Sequence, residues 1–120
     1  MDQPAPTVSA ADIERLIARD FPAKDVAAVR SALAEYGRKD WHREPIRVQA
    51  AMLKIADGSL ARLRTAVATA DQDFRDVLCA AEYPRYLVEI RPAETNEAKR
   101  HSVIADDWRQ YREWFEKKDA

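Results

Sequence analysis

Apolar residues recur at intervals of three and four along almost all of this 120-residue chain, the spacing that puts them on one face of an α-helix. The phase is unbroken from residue 60 to residue 81. Alternation of polar and apolar residues, which is typical of a strand, is suggested only at residues 86–90. Both glycines, Gly37 and Gly58, lie where the helical pattern stops, as expected for residues that end helices. The sequence therefore predicts an all-α fold.

We predict about five helices, at residues 9–19, 23–36, 45–57, 59–82 and 102–117. Ser9, Pro45 and Ser59 suit the starts of the first, third and fourth of these helices. The fourth is either one long helix or two nearly collinear segments, with a kink expected at residues 71–73, where an Asp can cap a restarting helix. Residues 85–102 fit either a short helical turn or an extended segment laid over the core.

The helix predicted at residues 45–57 differs from its neighbours because it is apolar on most of its sides. Its two apolar faces are formed by Ile46, Ala50 and Leu53 and by Val48, Met52 and Ile55. Arg47 and Lys54 share the narrow polar strip that remains. A helix of this kind is normally surrounded by other helices. We therefore predict an irregular bundle, or a stack of helical hairpins, around this central helix. We expect this bundle to form one domain at residues 9–118, after a flexible tail at residues 1–8.

The charged residues are nearly balanced, with 20 basic and 21 acidic side chains and a formal charge of −1. Residues 1–60 hold 9 basic and 9 acidic residues, and residues 61–120 hold 11 and 12. Neither half has the cationic excess that neutralises a phosphate backbone, which disfavours binding to nucleic acid or to an anionic membrane. The chain begins Met1-Asp2-Gln3-Pro4 and has no apolar run long enough to span a bilayer. These features predict neither a signal peptide nor a transmembrane helix, and they favour a cytoplasmic location.

Residues that could carry chemistry are few. The single cysteine, Cys79, excludes an intramolecular disulfide and lies in an apolar stretch, so we expect a small buried hydrophobe rather than a reactive thiol. Glu97 and His101 are four residues apart, but a zinc or di-iron site needs more ligands, and His42 lies in an unrelated loop. No serine is flanked by glycines, and two isolated glycines cannot form a phosphate loop. We therefore predict no catalytic residue, no metal site and no cofactor, and we expect that the protein is not an enzyme.

Four acidic residues near the end of the fourth predicted helix are candidates for a cation site: Asp71, Asp73, Asp76 and Glu82. Calcium and magnesium need several oxygen ligands that converge on one point, usually from a loop with a glycine at its turn. No such glycine is present, and Asp73 and Asp76 lie three residues apart beside Arg75. We therefore expect helix capping and a solvated face at this position rather than a metal site.

Two stretches of the chain are distinctive, RVQAAMLKIADGSLARL at residues 47–63 and DFRDVLCAAEYP at residues 73–84. Both resemble parts of small helical proteins of bacteria to which no activity is assigned, so the resemblance covers residues 47–84. Its motifs are mainly helix-packing and capping patterns. The resemblance implies a bacterial, cytoplasmic, all-helical protein, and it implies no mechanism because it includes no catalytic residue.

The connector between the second and third predicted helices contains Trp41, followed by His42 and Arg43. A tryptophan flanked by charges can be the exposed anchor of a binding interface. Alternatively it folds back onto the core beside Tyr36, the commoner arrangement for a large aromatic and the one we expect. Trp114 presents the same choice, because other aromatics already fill the apolar stripe of the last helix. We predict a small non-catalytic protein-binding module, with a homodimer as one form, and Trp41, His42, Arg43 and Trp114 as candidate contacts.

Two other classes of function stay open. A helical pair at residues 9–36 could bind nucleic acid in the manner of a helix-turn-helix. Its contacts would be Arg15, Arg19, Lys24 and Arg30. Acidic residues lie between these and count against the hypothesis, namely Asp12, Glu14, Asp20 and Asp25. A small-molecule-binding or enzymatic domain would need a deep apolar pocket with converging polar groups.

Overall fold

The structure, a computed structural model, describes residues 7–42, 44–89 and 97–118, and these form an all-helical fold without strands. The helices are α1 (Ala10–Asp20), α2 (Val26–Ala34), α3 (Pro45–Ala56), α4 (Leu60–Gln72), α5 (Phe74–Glu82), α6 (Pro84–Glu89) and α7 (Glu97–Glu116). A 3₁₀ turn at Ala23–Asp25 leads into α2. The all-α prediction is confirmed. The described residues contain seven α-helices rather than about five, because the fourth predicted helix is divided in two and α6 follows it.

Three helices begin at the residues whose side chains favour helix starts. Ser9 accepts a hydrogen bond from the Asp12 backbone N–H, and the Asp12 side chain accepts one from the Ser9 backbone N–H, which together form a capping box. Ser59 accepts a hydrogen bond from the Arg62 N–H at the start of α4. Pro45 is the first residue of α3, where its missing N–H has no helical partner to lose. These predicted starts are confirmed.

α4 and α5 are separated by Asp73, at the site of the predicted kink. Asp73 has an extended backbone (φ −154°, ψ 101°), and its side chain accepts a hydrogen bond from the Arg75 N–H at the start of α5. The two helices are not collinear, since Ala61 near the start of α4 and Ala80 near the end of α5 line one cavity of about 410 Å³. In one straight helix these two residues would lie about 28 Å apart. The prediction that the two segments are nearly collinear is therefore wrong. The apolar spacing keeps its helical phase across Asp73, so the spacing does not show that the chain changes direction there.

α3 lies at the centre of the fold, as predicted. It packs against α1, α4 and α5. Its buried residues are Val48, Ala50, Ala51, Met52, Leu53 and Ala56. Ile46 and Ile55 are partly buried and pack against the same core. Because a fully buried Val, Met or Leu side chain contributes about 1.5–3 kcal/mol, these three residues of α3 supply a large share of the free energy that stabilises the fold.

The C-terminal part of the chain differs from the prediction at one helix start. α7 begins at Glu97 instead of near Ser102. Residues 98–102 are exposed, so no apolar spacing marks the first part of this helix. α6 shows that the chain after residue 84 forms a short helix, the first of the two alternatives predicted for residues 85–102. Residues 90–96, like residues 1–6 of the predicted tail, lie outside the described ranges, while Val8 packs against the core.

Candidate functional site

Trp41 lies on the connector between α2 and α3, and half of its surface is exposed (50%). Among the side chains that the structure describes, the other large apolar ones are buried or partly buried. The connector turns at Gly37, whose φ of 112° is unfavourable for any residue with a Cβ. A Cβ at Gly37 would also lie 3.1 Å from the Pro45 Cβ at the start of α3. The connector is therefore a tight turn against α3, and it projects Trp41 into solvent.

The neighbouring His42 holds this turn from inside, because its side chain is fully buried and both of its ring nitrogens have partners. Nδ1 lies 2.7 Å from the Gly37 backbone nitrogen and 3.3 Å from that of Lys39. Backbone N–H groups only donate, so Nδ1 is the acceptor and the ring proton is on Nε2. Nε2 donates to Asp71 Oδ1 at 3.0 Å. One side chain thus ties the connector to itself and to the end of α4.

Aromatic contacts continue from the core to Trp41. The His42 ring stacks on Tyr36, with centroids 4.2 Å apart and an angle of 21° between the planes. Trp41 meets the His42 ring edge-on, with centroids 4.4 Å apart and an angle of 72°. The expectation that Trp41 itself packs beside Tyr36 is wrong, because His42 occupies that position. Lys39 Nζ lies 5.1 Å from the centroid of the Trp41 ring, within range of a cation–π interaction.

Asp71 is the anionic partner of this arrangement. Besides His42, it pairs with Lys39, whose Nζ lies 3.4 Å from Oδ1. The hydrogen bond from His42, together with the charge of Lys39, holds the pKa of the Asp71 carboxyl below its ordinary value. The carboxylate therefore stays ionised at neutral pH. Sequence reasoning assigned Asp71 to capping or a solvated face, and no local signal links it to a histidine 29 residues away.

Two clefts border the connector that carries Trp41. One, of about 400 Å³, is lined by Trp41 itself and by residues 72–75 at the junction of α4 and α5. The other, of about 550 Å³, lies between α2 and α4 and is lined in part by Lys39 and Asp71. The second cleft therefore shares residues with the support of Trp41. Clefts beside an exposed aromatic can receive the side chains of a bound partner.

The four predicted contact residues have different environments. Trp41 and His42 are in direct contact, one exposed and the other buried. Arg43 lies outside the described residues. Trp114 is partly buried on α7, where the Arg19 guanidinium lies 5.3 Å from its ring centroid. The structure therefore leaves Trp41 as the exposed aromatic and gives Trp114 a place in the packing of α7.

The arginines that could contact nucleic acid are mostly engaged within the protein. Arg15 donates to the Phe115 carbonyl at 2.9 Å, and Arg19 donates to two carbonyls at the end of α7. Arg30 forms an ion pair with Glu14 at 2.6 Å. A phosphate backbone would have to compete with each of these contacts, so the geometry argues against nucleic-acid binding through α1 and α2.

The acidic candidates do not converge. Asp73 caps α5, as expected, and Glu82 pairs with Arg47 of α3. Within the described ranges, no three His, Cys, Asp or Glu side chains are placed to hold a metal ion. The Glu97 side chain is not among those described, so the pairing with His101 lies outside this statement. Cys79 is partly buried rather than fully buried.

Sequence reasoning did not predict two buried carboxylates, one between α3 and α5 and the other between α6 and α7. Glu82 is fully buried and accepts two hydrogen bonds from the Arg47 guanidinium, at 2.9 Å and 2.7 Å. Asp107 is also fully buried, and it accepts hydrogen bonds from the backbone N–H groups of Arg85 and Tyr86 at the start of α6. Both carboxylates thus join helices, Glu82 joining α5 to α3 and Asp107 joining α7 to α6.

Comparisons with known proteins found no matching family model, no matching curated protein and no matching solved structure. The resemblance of residues 47–84 to small bacterial helical proteins stays a prediction from the sequence. Among the described helices, none combines the length and apolar character that crossing a bilayer requires.

Proposed function

We propose that this chain is a non-catalytic protein-binding module of the bacterial cytoplasm, and that Trp41 is the anchor of its interface. The observation that carries the proposal is the exposure of Trp41 on a turn held by His42. Tryptophan is enriched among the few residues that supply most of the free energy of a protein–protein interface. An exposed tryptophan fits such a role where the other large apolar side chains that the structure describes are buried or partly buried.

The support beneath Trp41 makes it suited to binding. Binding loses free energy when a flexible side chain or loop must be ordered, at about 0.5–1.5 kcal/mol for each immobilised side chain. The contacts from His42 and Lys39 already restrict the Trp41 ring before any partner is present. Less ordering is then required when a partner covers the ring, and more of the gain from burying it contributes to affinity.

A second copy of this chain is one partner that fits the proposal. In a two-fold symmetric dimer the same surface is used twice, so each Trp41 would be covered by the other copy. Sedimentation equilibrium of the wild-type chain and of Trp41→Ala tests this form directly. We expect the Ala variant to be monomeric at concentrations at which the wild-type chain dimerises.

A partner from the native host is tested by quantitative affinity capture from an extract of that organism. The tagged wild-type chain is compared with Trp41→Ala and with Glu113→Ala, which removes an exposed side chain of α7. Truncating a dominant interface residue costs about 2 kcal/mol or more, so Trp41→Ala should weaken capture by about 30-fold. Glu113→Ala should capture the same protein as the wild-type chain.

Circular dichroism and urea unfolding of each variant show whether the fold is kept, because loss of the whole structure would also abolish binding. The proposal is wrong if folded Trp41→Ala binds every captured protein as well as the wild-type chain does and has the same state of association.

A further inference from the structure

The cleft of about 550 Å³ between α2 and α4 has an apolar floor and a charged rim. Its floor is formed by small side chains, Ala28 and Ala32 from α2 and Val67 and Ala68 from α4. Ala28 and Ala32 are four residues apart on α2, and Val67 and Ala68 lie one turn after Arg64 and one turn before Asp71 on α4, so each helix faces the cleft along one stripe. Small side chains on both walls leave a groove into which the side chains of another segment can pack.

The charged side chains that line the groove include three cations and two anions, and most of them have no partner of opposite charge within the described part of the chain. Lys39 and Asp71 form an ion pair, with Nζ and Oδ1 3.4 Å apart. The remaining charged residues that line the groove are Arg38, Arg64 and Glu35. Neither Arg38 nor Arg64 forms a hydrogen bond or ion pair with another residue that the structure describes, in contrast to Arg15, Arg19 and Arg30. Two guanidinium groups are thus left beside an apolar floor with one unpaired carboxylate.

The two arginines lie towards opposite ends of the groove. Arg64 precedes Asp71 by two turns of α4, a distance of about 10 Å along the helix axis. Arg38 follows α2 and neighbours Lys39, which reaches Asp71 at the other end. Carboxylates at both ends of a bound segment would therefore each meet a guanidinium, the cation that binds carboxylates most effectively with two parallel hydrogen bonds.

We propose that this groove binds an acidic segment of the protein partner, with its carboxylates on Arg38 and Arg64 and its apolar side chains on the alanine floor. The inference rests on the proposed function and names the chemistry of the partner. Lys39 lines the groove and also lies over the Trp41 ring, so one partner covers both surfaces. The apolar floor favours a peptide over a phosphate backbone, because a peptide can place apolar side chains on the floor between its carboxylates.

The groove is tested first by site-specific photocrosslinking. A photoreactive amino acid replaces Ala68, which is exposed in the groove, and in a control variant it replaces Ala34, which is exposed on α2 but does not line the groove. The tagged chains are irradiated in host extract with and without nuclease, and the crosslinked partner peptide is identified by mass spectrometry. We expect position 68 to crosslink to an acidic peptide and position 34 not to do so, with no effect of nuclease.

The charge requirement is then measured with the mapped segment made as a synthetic peptide. Its affinity is determined by calorimetry for the wild-type chain, for Arg38→Glu/Arg64→Glu and for Lys24→Glu/Arg62→Glu, which makes the same change of charge on exposed residues outside the groove. We expect about tenfold or greater weakening for the groove variant alone, and similar weakening when the acidic residues of the peptide are replaced by amides.

The outcomes separate this inference from the proposed function. If Trp41→Ala abolishes capture while the groove variant binds as the wild-type chain does, the groove assignment is overturned and the anchor stands. A neutral or basic crosslinked peptide, a crosslink that nuclease removes, or no crosslink at position 68 likewise overturns the groove assignment. If the groove variant loses the partner and Trp41→Ala keeps it, the groove stands and Trp41 is not the anchor.

Discussion

His42 shows how one buried residue can determine the position of an exposed one. An imidazole ring offers an acceptor and a donor on opposite sides of a flat surface, and here Gly37 donates to one side and Asp71 accepts from the other. The face of the same ring stacks on Tyr36, and Trp41 approaches it edge-on. Each of these contacts can be removed separately by a suitable substitution, so the importance of each for the connector can be measured.

The loss of unfolding free energy caused by a substitution at His42 should depend on which ring nitrogen the new side chain can replace. Asn can keep an acceptor toward the Gly37 N–H, whereas Gln can keep a donor toward Asp71. The bond from the Gly37 N–H is partly buried, and a buried N–H without an acceptor costs about 1–3 kcal/mol, while the Asp71 carboxylate is nearly half exposed and can be hydrated. Urea unfolding should therefore show His42→Asn to be less destabilised than His42→Gln, with His42→Ala losing the most, about 2–4 kcal/mol. A smaller loss for Gln than for Asn would mean that the bond to Asp71 is the more important one.

Asp71 should make stability depend on pH in the acid range. Its pKa lies below the ordinary value of 3.8, chiefly because His42 donates a hydrogen bond to it. The unfolded chain therefore binds more protons as the pH falls, so the contribution of Asp71 is complete above about pH 4 and is lost as the pH falls through the lowered pKa. We expect Asp71→Asn to reduce the slope of unfolding free energy against pH below about pH 4 in urea titrations.

Asp76→Asn serves as the control for Asp71, because it removes an exposed carboxylate from the neighbouring helix. Some acid sensitivity should remain in Asp71→Asn, since Asp73 and Glu14 also have lowered pKa values through hydrogen bonds from arginines. An Asp71→Asn slope equal to that of the wild-type chain would show that the pairing with His42 does not contribute to stability.

At the scale of helices, the sequence predicts what local spacing and capping encode. The central position of α3 followed from apolar residues on most of its sides, and Ser9 and Ser59 marked helix starts by their side-chain chemistry. The kink at Asp73 was predicted from its capping side chain, but its size was not, because helical phase describes which face is apolar and not where the next helix points. The early start of α7 was missed because residues 98–102 are exposed and carry no apolar pattern.

The candidate site was predictable only in part. The sequence shows Trp41 and His42 as neighbours on a connector. Which of the two packs on Tyr36 depends on whether a hydrogen-bond partner is available for the buried His42 ring. That partner is Asp71, which lies 29 residues away and reaches His42 only through the packing of α2 against α4. Local sequence rules do not encode such a contact, and the same holds for the groove that Arg38 and Arg64 border.

The ion pair between Arg47 of α3 and Glu82 of α5 should show strong coupling. The guanidinium donates two hydrogen bonds to a fully buried carboxylate, and this pairing raises the pKa of Arg47. Arg47→Met leaves that carboxylate without a counterion, so we expect a loss of about 3 kcal/mol in urea unfolding. Arg47→Met/Glu82→Met removes both charges and should recover most of this loss.

Glu44→Gln is the control for this cycle, because Glu44 also lies near Arg47, at 3.3 Å, but is exposed. Surface ion pairs contribute little, so its effect should stay below about 1 kcal/mol. Additive effects of Arg47→Met and Glu82→Met would contradict the coupling and would mean that the carboxylate is hydrated or protonated once its partner is removed.

At the scale of the whole molecule, α1 is tied to the end of α7 by two arginines. The last carbonyls of a helix have no partner within it, and cationic donors satisfy them with the help of the helix dipole. Arg19 donates to the carbonyls of Trp114 and Lys117, at 2.6 Å and 2.7 Å, and Arg15 donates to that of Phe115. Contacts between residues about 100 positions apart join the two ends of the described chain into one unit.

Arg19→Met should loosen this end of the molecule without affecting Trp41. The Arg19 side chain is almost fully buried, and hydrogen bonds from charged groups contribute about 1.5–3 kcal/mol each, so we expect a loss of about 2–3 kcal/mol in unfolding free energy. Hydrogen exchange should become faster in the last two turns of α7 and stay unchanged in the connector around Trp41. Arg62→Met, an exposed substitution on α4, is the control for loss of a charge.

The same variant separates the two tryptophans that the sequence presented as equivalent. Arg19 lies against the Trp114 ring, so its removal increases the freedom and exposure of Trp114 while Trp41 keeps its support from His42. If Trp41 is the anchor, Arg19→Met binds the captured partner as tightly as the wild-type chain does under conditions in which it is folded. A change in partner affinity as large as that caused by Trp41→Ala would instead place the interface at the end of α7, with Trp114, the other tryptophan predicted as a contact, in it.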